Sequence, residues 1–388
     1  MIISSLRLFR FRNLAQHENE FKPRLNFLVG ANGQGKTNLI EAVFLLSRGD
    51  SFRPANFENY LFNFKAAQAR ITAKLKSDAG DYKLQIDFAD GRRTPHLDGK
   101  RTRFSTLSAE FPVVLFSPES LASIKEGPEQ RRILIDNVLA TLSIRDAKLL
   151  TDFHQTLRAR NALLRQIADG DNRSTTLQSL ESLTSLFLVI GTHVTASRLA
   201  VLRQMAPRWQ ESARHIFGID DLSVSLEYLI SDSCANAWSD EQVFNALSQR
   251  QSELSRREME YGGSLVGPHK HDLRILFSGN DSRFSCSQGQ QRALILAFKI
   301  AQIDLHHSVT GRYPILLLDD VMSELDADKR MRLMEYLEGI NAQVLITATD
   351  LTWSRHFPEE RNAVFKVENG TVTLTAPSAV RAVMPTIG

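Results

Sequence analysis

A chain of 388 residues exceeds one ordinary core, and with 43% hydrophobic and 23% charged residues it has globular rather than disordered or fibrous composition. The net charge of +3 conceals an asymmetry: residues 1–132 hold 21 Lys/Arg against 14 Asp/Glu, and the remainder 26 against 30, so one lobe is basic and offers either a solvated surface or a face for a polyanion. Two cysteines, Cys234 and Cys286, exclude a disulfide framework and, without a C-x-x-C or Cys/His cluster, structural zinc.

The N-terminus MIISSLRLFRFRN lacks the apolar core of a signal peptide, and the sequence shows no run of about 18 apolar residues, which predicts a soluble, cytoplasmic protein without a membrane partner. Leu6 and Leu8 alternate with Ser and Arg, as in a strand. LNFLVG (25–30) reads as a buried strand entering a glycine loop. ARITAKLK (69–76) and DYKLQIDFA (81–89) alternate with period two across SDAG, a hairpin signal, and Asp98-Gly99 marks a second turn. After the apolar run VVLF (113–116) the pattern becomes helical, from about Glu129 to about Tyr261. Leu150, Phe153, Leu157 and Leu164 share one face, ADGDNRS turns the chain, and a second long helix is expected to end at Ala206 and Pro207, giving an antiparallel arm. A strand, LSVSLEYL (222–229), and a further helix complete this section. Strands return with DLRILF (272–277), YPILLLDD (313–320), AQVLITAT (342–349) and a hairpin turning at Asn369-Gly370. The predicted division is residues 1–128 as the N-terminal part of a sheet-based head with a β subdomain, 129–262 as an inserted helical arm, and 263–388 as the C-terminal part of the head.

GANGQGKT (30–37) matches G-x-x-x-x-G-K-[ST] between a predicted strand and a predicted helix, the context in which that pattern cradles phosphate. The candidate nucleotide contacts are Gly30, Ala31, Asn32, Gly33, Gln34, Gly35, Lys36, Thr37 and Asn38. The glycines let backbone N–H groups turn inward, Lys36 reaches the β and γ phosphates, and the Thr37 hydroxyl is placed to ligate Mg²⁺. ILLLDD is a strand covered on both faces, whose carboxylates fit only at its end. In a parallel sheet that end lies beside the phosphate loop, so Asp319 is expected to hold the metal and Asp320 to orient or deprotonate a water. A nucleotide kinase remains open at this point.

FSCSQGQQRALILAFKIAQ (284–302) reads as a helix with a bare first turn. Ser287, Gly289 and Gln290 resemble the signature motif of ABC-type ATPases, and SELD (323–326), with Ser323 and Asp326, resembles their D-loop. The order of the four motifs agrees with that class. Within it the chain is similar over essentially its whole length to the RecF family, bacterial recombination and repair ATPases of the SMC-like group. FRN (11–13), GANGQGKTNLIEA (30–42), SFR (51–53), LFSPES (115–120), GPEQRRILID (127–136), GPHKHDL (267–273), SQGQQR (287–292) and LLLDDVMSELD (316–326) carry the resemblance.

The resemblance implies an α/β fold: an ABC-type, SMC-like P-loop ATPase head with a mixed sheet and an antiparallel β subdomain, plus an inserted helical arm domain. It implies ATP with Mg²⁺, a homodimer in which one subunit's signature (Ser287, Gly289, Gln290) closes over ATP held by the other, and catalytic roles for Lys36, Asp319, Asp320 and Ser287. Asp320 stands where glutamate is usual and Thr349 where a switch histidine is common, which points to slow, timer-like hydrolysis. It further implies binding to duplex DNA near single-strand gaps, in replication, repair and the SOS response, with RecO and RecR. Arg12 is a candidate nucleotide contact, Arg53 a DNA or nucleotide contact, and Arg92, Arg93, Lys100, Arg101 and Arg103 candidate DNA contacts on the hairpins, against the alternative of a solvated edge. A transporter's nucleotide-binding subunit and a non-hydrolysing SMC-like scaffold are the competing classes. His269 and His271 lack a third metal ligand and read as structural.

Overall fold

A computed structural model of the protein describes every residue except 54, 78–79, 119, 121–123, 172, 350–361 and 376–388. Its contacts group Met1–Leu121 with His306–Gly388 in one compact unit and Ala122–Leu305 in a second. The first unit opens with β1 (Ile2–Phe11), β2 (Leu14–Glu20), β3 (Leu25–Val29), α1 (Lys36–Arg48), β4 (Gln68–Ser77), β5 (Gly80–Ala89), β6 (Arg92–Leu97), β7 (Lys100–Arg101), α2 (Phe104–Glu110) and β8 (Val113–Phe116). The second contains α3 (Pro128–Leu142), α4 (Ile144–Ala168), α5 (Ser174–Phe217), β9 (Val224–Ile230), β10 (Ser233–Cys234), α6 (Asp240–Tyr261), β11 (Asp272–Phe277), β12 (Asn280–Asp281), α7 (Ser282–Ser285) and most of α8 (Gln288–Thr310). The chain returns to the first unit as β13 (Ile315–Leu318), α9 (Ala327–Gly339), β14 (Val344–Ala348), β15 (Ala363–Glu368) and β16 (Thr371–Thr375).

Two six-stranded sheets build the first unit, as their sequence periods require. One is antiparallel, in the order β2-β1-β4-β5-β6-β7. Its strands alternate: Ala69, Ile71, Ala73 and Leu75 face inward opposite Phe88, Ile86, Leu84 and Tyr82, while Arg70, Lys74 and Lys83 face out. Burying Ile71 alone contributes about 2 kcal/mol, and an aspartate there would break the face. The other sheet runs β16-β15-β3-β14-β13-β8 and is parallel from β15 to β8. Its strands are continuous apolar runs because both faces are covered, and parallel pairing brings the C-terminal ends of β3, β13 and β14 to one edge. Leu39, Val43 and Leu46 of α1 join the core shared by the two sheets.

In the second unit, β9 and β11 pair along their length in a four-stranded antiparallel sheet. The arm is more than a two-helix seam. The inward face of α4 includes Arg160, 1% exposed, which pairs with the fully buried Glu258 of α6 at 2.6 Å and donates to Thr184 of α5 at 3.0 Å. A buried charge must be paired to be tolerated, so this triad fixes how the three helices meet. Helix α5 does not stop at Pro207. The ring removes one backbone donor, yet Trp209, Ala213 and Ile216 beyond it are fully buried and hold the helix on to Phe217.

Helix α5 holds no run of about 18 apolar residues, yet by length and composition it is apolar enough to cross a membrane. Half of that stretch is buried within the protein. The helix also carries the buried Arg198, which donates to both carboxylate oxygens of Asp136 at 2.8 Å. The predicted divisions at 128 and 262 differ from the contact boundaries at 121/122 and 305/306. Residues 263–305 sit in the second unit because β11 lies along β9 and the Trp209 indole donates to Leu294 O at 3.1 Å.

Candidate nucleotide site

The loop between β3 and α1 has the form its glycines permit. Gly33 and Gly35 adopt φ of 79° and 112°, the left-handed region in which side chains are strained. A Cβ at Gly30 would lie 2.1 Å from Val367 O on the neighbouring strand. No side chain caps α1; the Asn38 N–H donates to Gly35 O at 3.1 Å, and the Lys36 and Thr37 N–H groups are left for a ligand. Ala31, Asn32 and Gly33 face solvent, whereas Gly35 and Lys36 are buried. The Lys36 ammonium donates to Gly30 O at 2.5 Å and Ala31 O at 2.9 Å. Burial lowers its pKa from the ordinary lysine value, and the carboxylates of Asp320 and Asp319 oppose that shift.

The parallel sheet delivers the acids to this loop. Thr37 Oγ1 donates to Asp319 Oδ1 at 3.0 Å, and Asp319 is 4% exposed. Thr347, on β14, was not singled out by the sequence. Its hydroxyl donates to the same Asp319 oxygen at 2.9 Å and accepts the Asp320 N–H at 2.8 Å. Asp320 adopts φ 52°, and its carbonyl and Oδ1 accept from the Ser323 hydroxyl at 2.8 and 2.9 Å. Ser323 of the D-loop candidate thus holds Asp320 within the chain. Asp326 instead caps α9, accepting the Lys329 N–H at 2.9 Å and pairing with its ammonium, which lowers its pKa. Thr349 is exposed just beyond β14.

Arg12 and Arg53 converge on Glu41, a fully buried carboxylate of α1. Arg12 Nε donates to Glu41 Oε2 at 2.9 Å, Ser51 Oγ to Oε1 at 2.5 Å, and Arg53 also to Asn38 Oδ1 at 2.7 Å. Their guanidinium groups are thereby committed to the base of the loop helix; Arg12 is 12% and Arg53 30% exposed at the side chain. Only the glutamate inside the apolar run NLIEAVF signalled this arrangement in the sequence.

At α8 the expectation of a bare helix start is corrected. Ser287 Oγ accepts the Gln290 N–H at 3.2 Å and the Gln290 side chain accepts the Ser287 N–H at 2.8 Å, a reciprocal capping box. Ser287, Gln288 and Gly289 are exposed. A Cβ at Gly289 would meet nothing within 4 Å, so the packing of its own chain does not require glycine there.

Of the candidate DNA contacts, Arg92, Lys100, Arg101 and Arg103 are exposed. Arg93 is not available in the same way. It pairs with Asp50 at 2.7 Å, donates to Gly49 O and lies over the Tyr60 ring. The open face of the antiparallel sheet carries further cations. Arg7, Lys74 and Lys83 line its concavity with Arg70, Glu18 and Asp87, and Lys74 stands directly opposite Lys83. Like charges in that position cost stability, so a ligand-binding role gives the pair a reason. His269 and His271 are structural. His271 is 3% exposed with Nδ1 2.9 Å from the Tyr228 hydroxyl, and no cluster of three metal-ligating side chains occurs among the described residues.

The sequence profile of the RecF/RecN/SMC N terminal domain matches residues 2–373. The chain is 35% identical over 380 residues to the DNA replication and repair protein RecF of Heliobacterium modesticaldum, covering 96% of this chain and 99% of that one. It is 33% identical over 376 residues to the protein of the same name from Limosilactobacillus fermentum, with the same coverage. Among solved structures it resembles the recombination mediator protein RecF-ATP in the RecFOR pathway, with TM-score 0.86 and 28% identity over 96% of this chain and 97% of that one. An Smc head domain from Pyrococcus furiosus, with TM-score 0.56 and 16% identity over 98% of both chains, shares the fold.

Proposed function

Because this chain belongs to the RecF family of DNA replication and repair proteins, an ATP-binding group with the SMC-type head, we propose that it is a slow, DNA-stimulated ATPase that dimerises on ATP and acts on duplex DNA near single-strand gaps. The observation that carries this is the Thr37–Asp319 contact of 3.0 Å, which joins the phosphate loop to the acids of β13. Two hard oxygens converge there beside a buried lysine, a donor set that suits Mg²⁺. Bound Mg²⁺ supplies neutralisation of phosphate charge. The loop's own groups do the rest: the free N–H groups at the start of α1 accept the anion, Lys36 shifts from two carbonyls to phosphate oxygens, and Asp319 holds the metal side. Asp320 orients the attacking water. Tethered by Ser323 and one methylene shorter than glutamate, it supports slow turnover.

The open environment of Gly289 supports the second half of the site. An exposed glycine that its own chain does not need suits close approach by another copy, with Ser287 and Gln290 presented beside it. The ATP-bound dimer then carries two basic sheet faces, on which Arg7, Lys74, Lys83, Arg92 and Arg101 contact DNA phosphates with little dependence on sequence. In this reading residues 1–128 and 263–388 supply the motifs of the ATPase head, 263–305 of them packing in the second unit with the inserted arm 129–262, the protein works in the cytoplasm, and RecO and RecR are its partners in recombinase loading. Lys36→Ala should abolish ATP binding by calorimetry. Ser287→Ala should bind ATP normally yet remain monomeric by light scattering and fail to turn over. An Ser287→Ala protein that dimerises with ATP would overturn the trans site, and absence of ATP binding by the unaltered protein would overturn the whole proposal.

A further inference from the structure

The residue after Arg12 has no role in the account above, yet its side chain is hydrogen-bonded both to the phosphate loop and to the helix that follows it. Asn13 Nδ2 donates to Gln34 O at 3.3 Å, and its Oδ1 accepts from Asn38 Nδ2 at 2.7 Å. A Cβ at Gly35 would lie 2.9 Å from the same Oδ1. The turn between β15 and β16 reaches the same peptide of the loop. Gly370 N–H donates to Gln34 O at 3.1 Å and Asn369 N–H to Gln34 Oε1 at 2.5 Å. Gly370 has φ 74°, its Cβ would stand 2.3 Å from Asn13 O, and its own carbonyl meets the His17 ring.

One carbonyl oxygen therefore has two donors, a side-chain amide and a backbone N–H, supplied from opposite ends of the sequence. The peptide plane is rigid, and the described chain has no cis bonds. Fixing Gln34 O toward Asn13 and Gly370 thus turns the following N–H, that of Gly35, in the opposite direction. An anion in a loop of this kind is bound by inward-turned N–H groups, the role this orientation gives the Gly35 N–H. We infer that Asn13 and the Asn369–Gly370 turn form an outer clamp on the Gln34–Gly35 peptide, and that Asn13 is a positioning residue for the triphosphate. The clamp links the β1–β2 turn and the C-terminal hairpin to the occupancy of the loop. It also explains glycine at 370, since any side chain would collide with the Asn13 carbonyl and push the clamp open.

The inference rests on the nucleotide reading, and the test separates the two. Asn13→Asp keeps the shape but replaces the amide donor by an acceptor facing Gln34 O; Asn13→Ala removes that donor together with the acceptor of the Asn38 amide. Calorimetric titration with ATP should show affinity lowered about fivefold for Asn13→Ala and tenfold or more for Asn13→Asp, the order expected for a lost hydrogen bond and a repulsive one. Both bonds of Asn13 are present without ligand, so the ligand-free midpoint falls by a few degrees in either case. A merely structural role leaves the rise on adding ATP unchanged, whereas the clamp predicts a smaller rise and faster amide exchange at residues 34–36. If the unaltered protein binds ATP and both variants bind it within twofold of that affinity, the clamp is wrong and the nucleotide reading stands. If the unaltered protein does not bind ATP, both fall. Should Asn13→Asp fail to fold, Asn13→Ala with amide exchange decides the matter.

Discussion

Thr347→Val tests how the acids of the site are held. The change keeps shape and volume and removes only the hydroxyl, which donates to Asp319 Oδ1 at 2.9 Å and accepts the Asp320 N–H at 2.8 Å. Thr347 is 1% exposed, so water cannot replace either bond. Losing a hydrogen bond to a carboxylate and orphaning a buried N–H together cost about 3 kcal/mol. For a unit of roughly 200 residues this lowers the melting temperature by roughly 6–12 °C, readable by calorimetry. The functional effect has a separate signature. Asp320 loses the contact that fixes its backbone, so turnover should fall about tenfold, while ATP binding without Mg²⁺, which depends on the loop and Lys36, should change less than twofold. A variant that melts within 2 °C of the unaltered protein and hydrolyses ATP at its rate would refute the reasoning, because the bridging hydroxyl would then hold nothing.

The second unit should lose stability in acid. Burial pushes the His269 pKa down to about 4, below its unfolded value near 6.5. The unfolded chain therefore binds the extra proton between those values, and stability present above pH 6.5 is lost as pH falls toward 4, by about 3 kcal/mol in total. Burial drives His271 the same way, so His269→Gln should flatten only part of the profile measured by denaturant unfolding from pH 7 to 4. On the basic sheet face, Lys74→Glu with Lys83→Glu should weaken binding to duplex DNA severalfold and reduce its salt slope by about 2 or more. Arg93→Ala should change DNA binding little while loosening the contact to Asp50 and Gly49, as read by fluorescence anisotropy alongside thermal melting.

Much of this was legible because the periods are unambiguous. Alternation in ARITAKLK and DYKLQIDFA marks a half-buried hairpin, and ILLL and LNFLV, bounded by turn and loop signals, read as buried strands; VVLF reads only as an apolar run, and its pairing with β13 makes it a strand. Phosphate loop and acids were legible for the same reason: once the strands are parallel, their ends meet. What escaped depends on contacts between residues hundreds of positions apart. Thr347 carries no local signal, since a threonine in a strand is an ordinary choice, and Asn13 stands out only within FRN, with nothing local to tie it to the loop. The helix through Pro207 was missed because a local rule about proline yields to the buried side chains beyond it. Arg93 was grouped with its exposed neighbours, yet alternation alone places it on the other face from Arg92, where Asp50 meets it.

The two glycine-bearing helix starts invite one role and have two. At α1 no side chain caps the first turn, so the Lys36 and Thr37 N–H groups remain available to an anion. At α8 Ser287 and Gln290 cap each other, and the dipole alone is a weaker lure. Capping, however, uses a lone pair of the Ser287 oxygen and leaves the hydroxyl proton unspent; no acceptor for it occurs among the described residues. The cap therefore fixes the oxygen in space and frees its proton to point outward, beside a glycine with nothing against it. In the proposed ATP-bound dimer the phosphate loop takes the triphosphate through backbone donors from within the chain, and the signature candidate offers a single pre-positioned hydroxyl donor from the other copy. That division predicts unequal losses: Ser287→Ala should keep the helix start partly capped by Gln290 and fold normally, while losing the donor that a second copy brings to bound ATP.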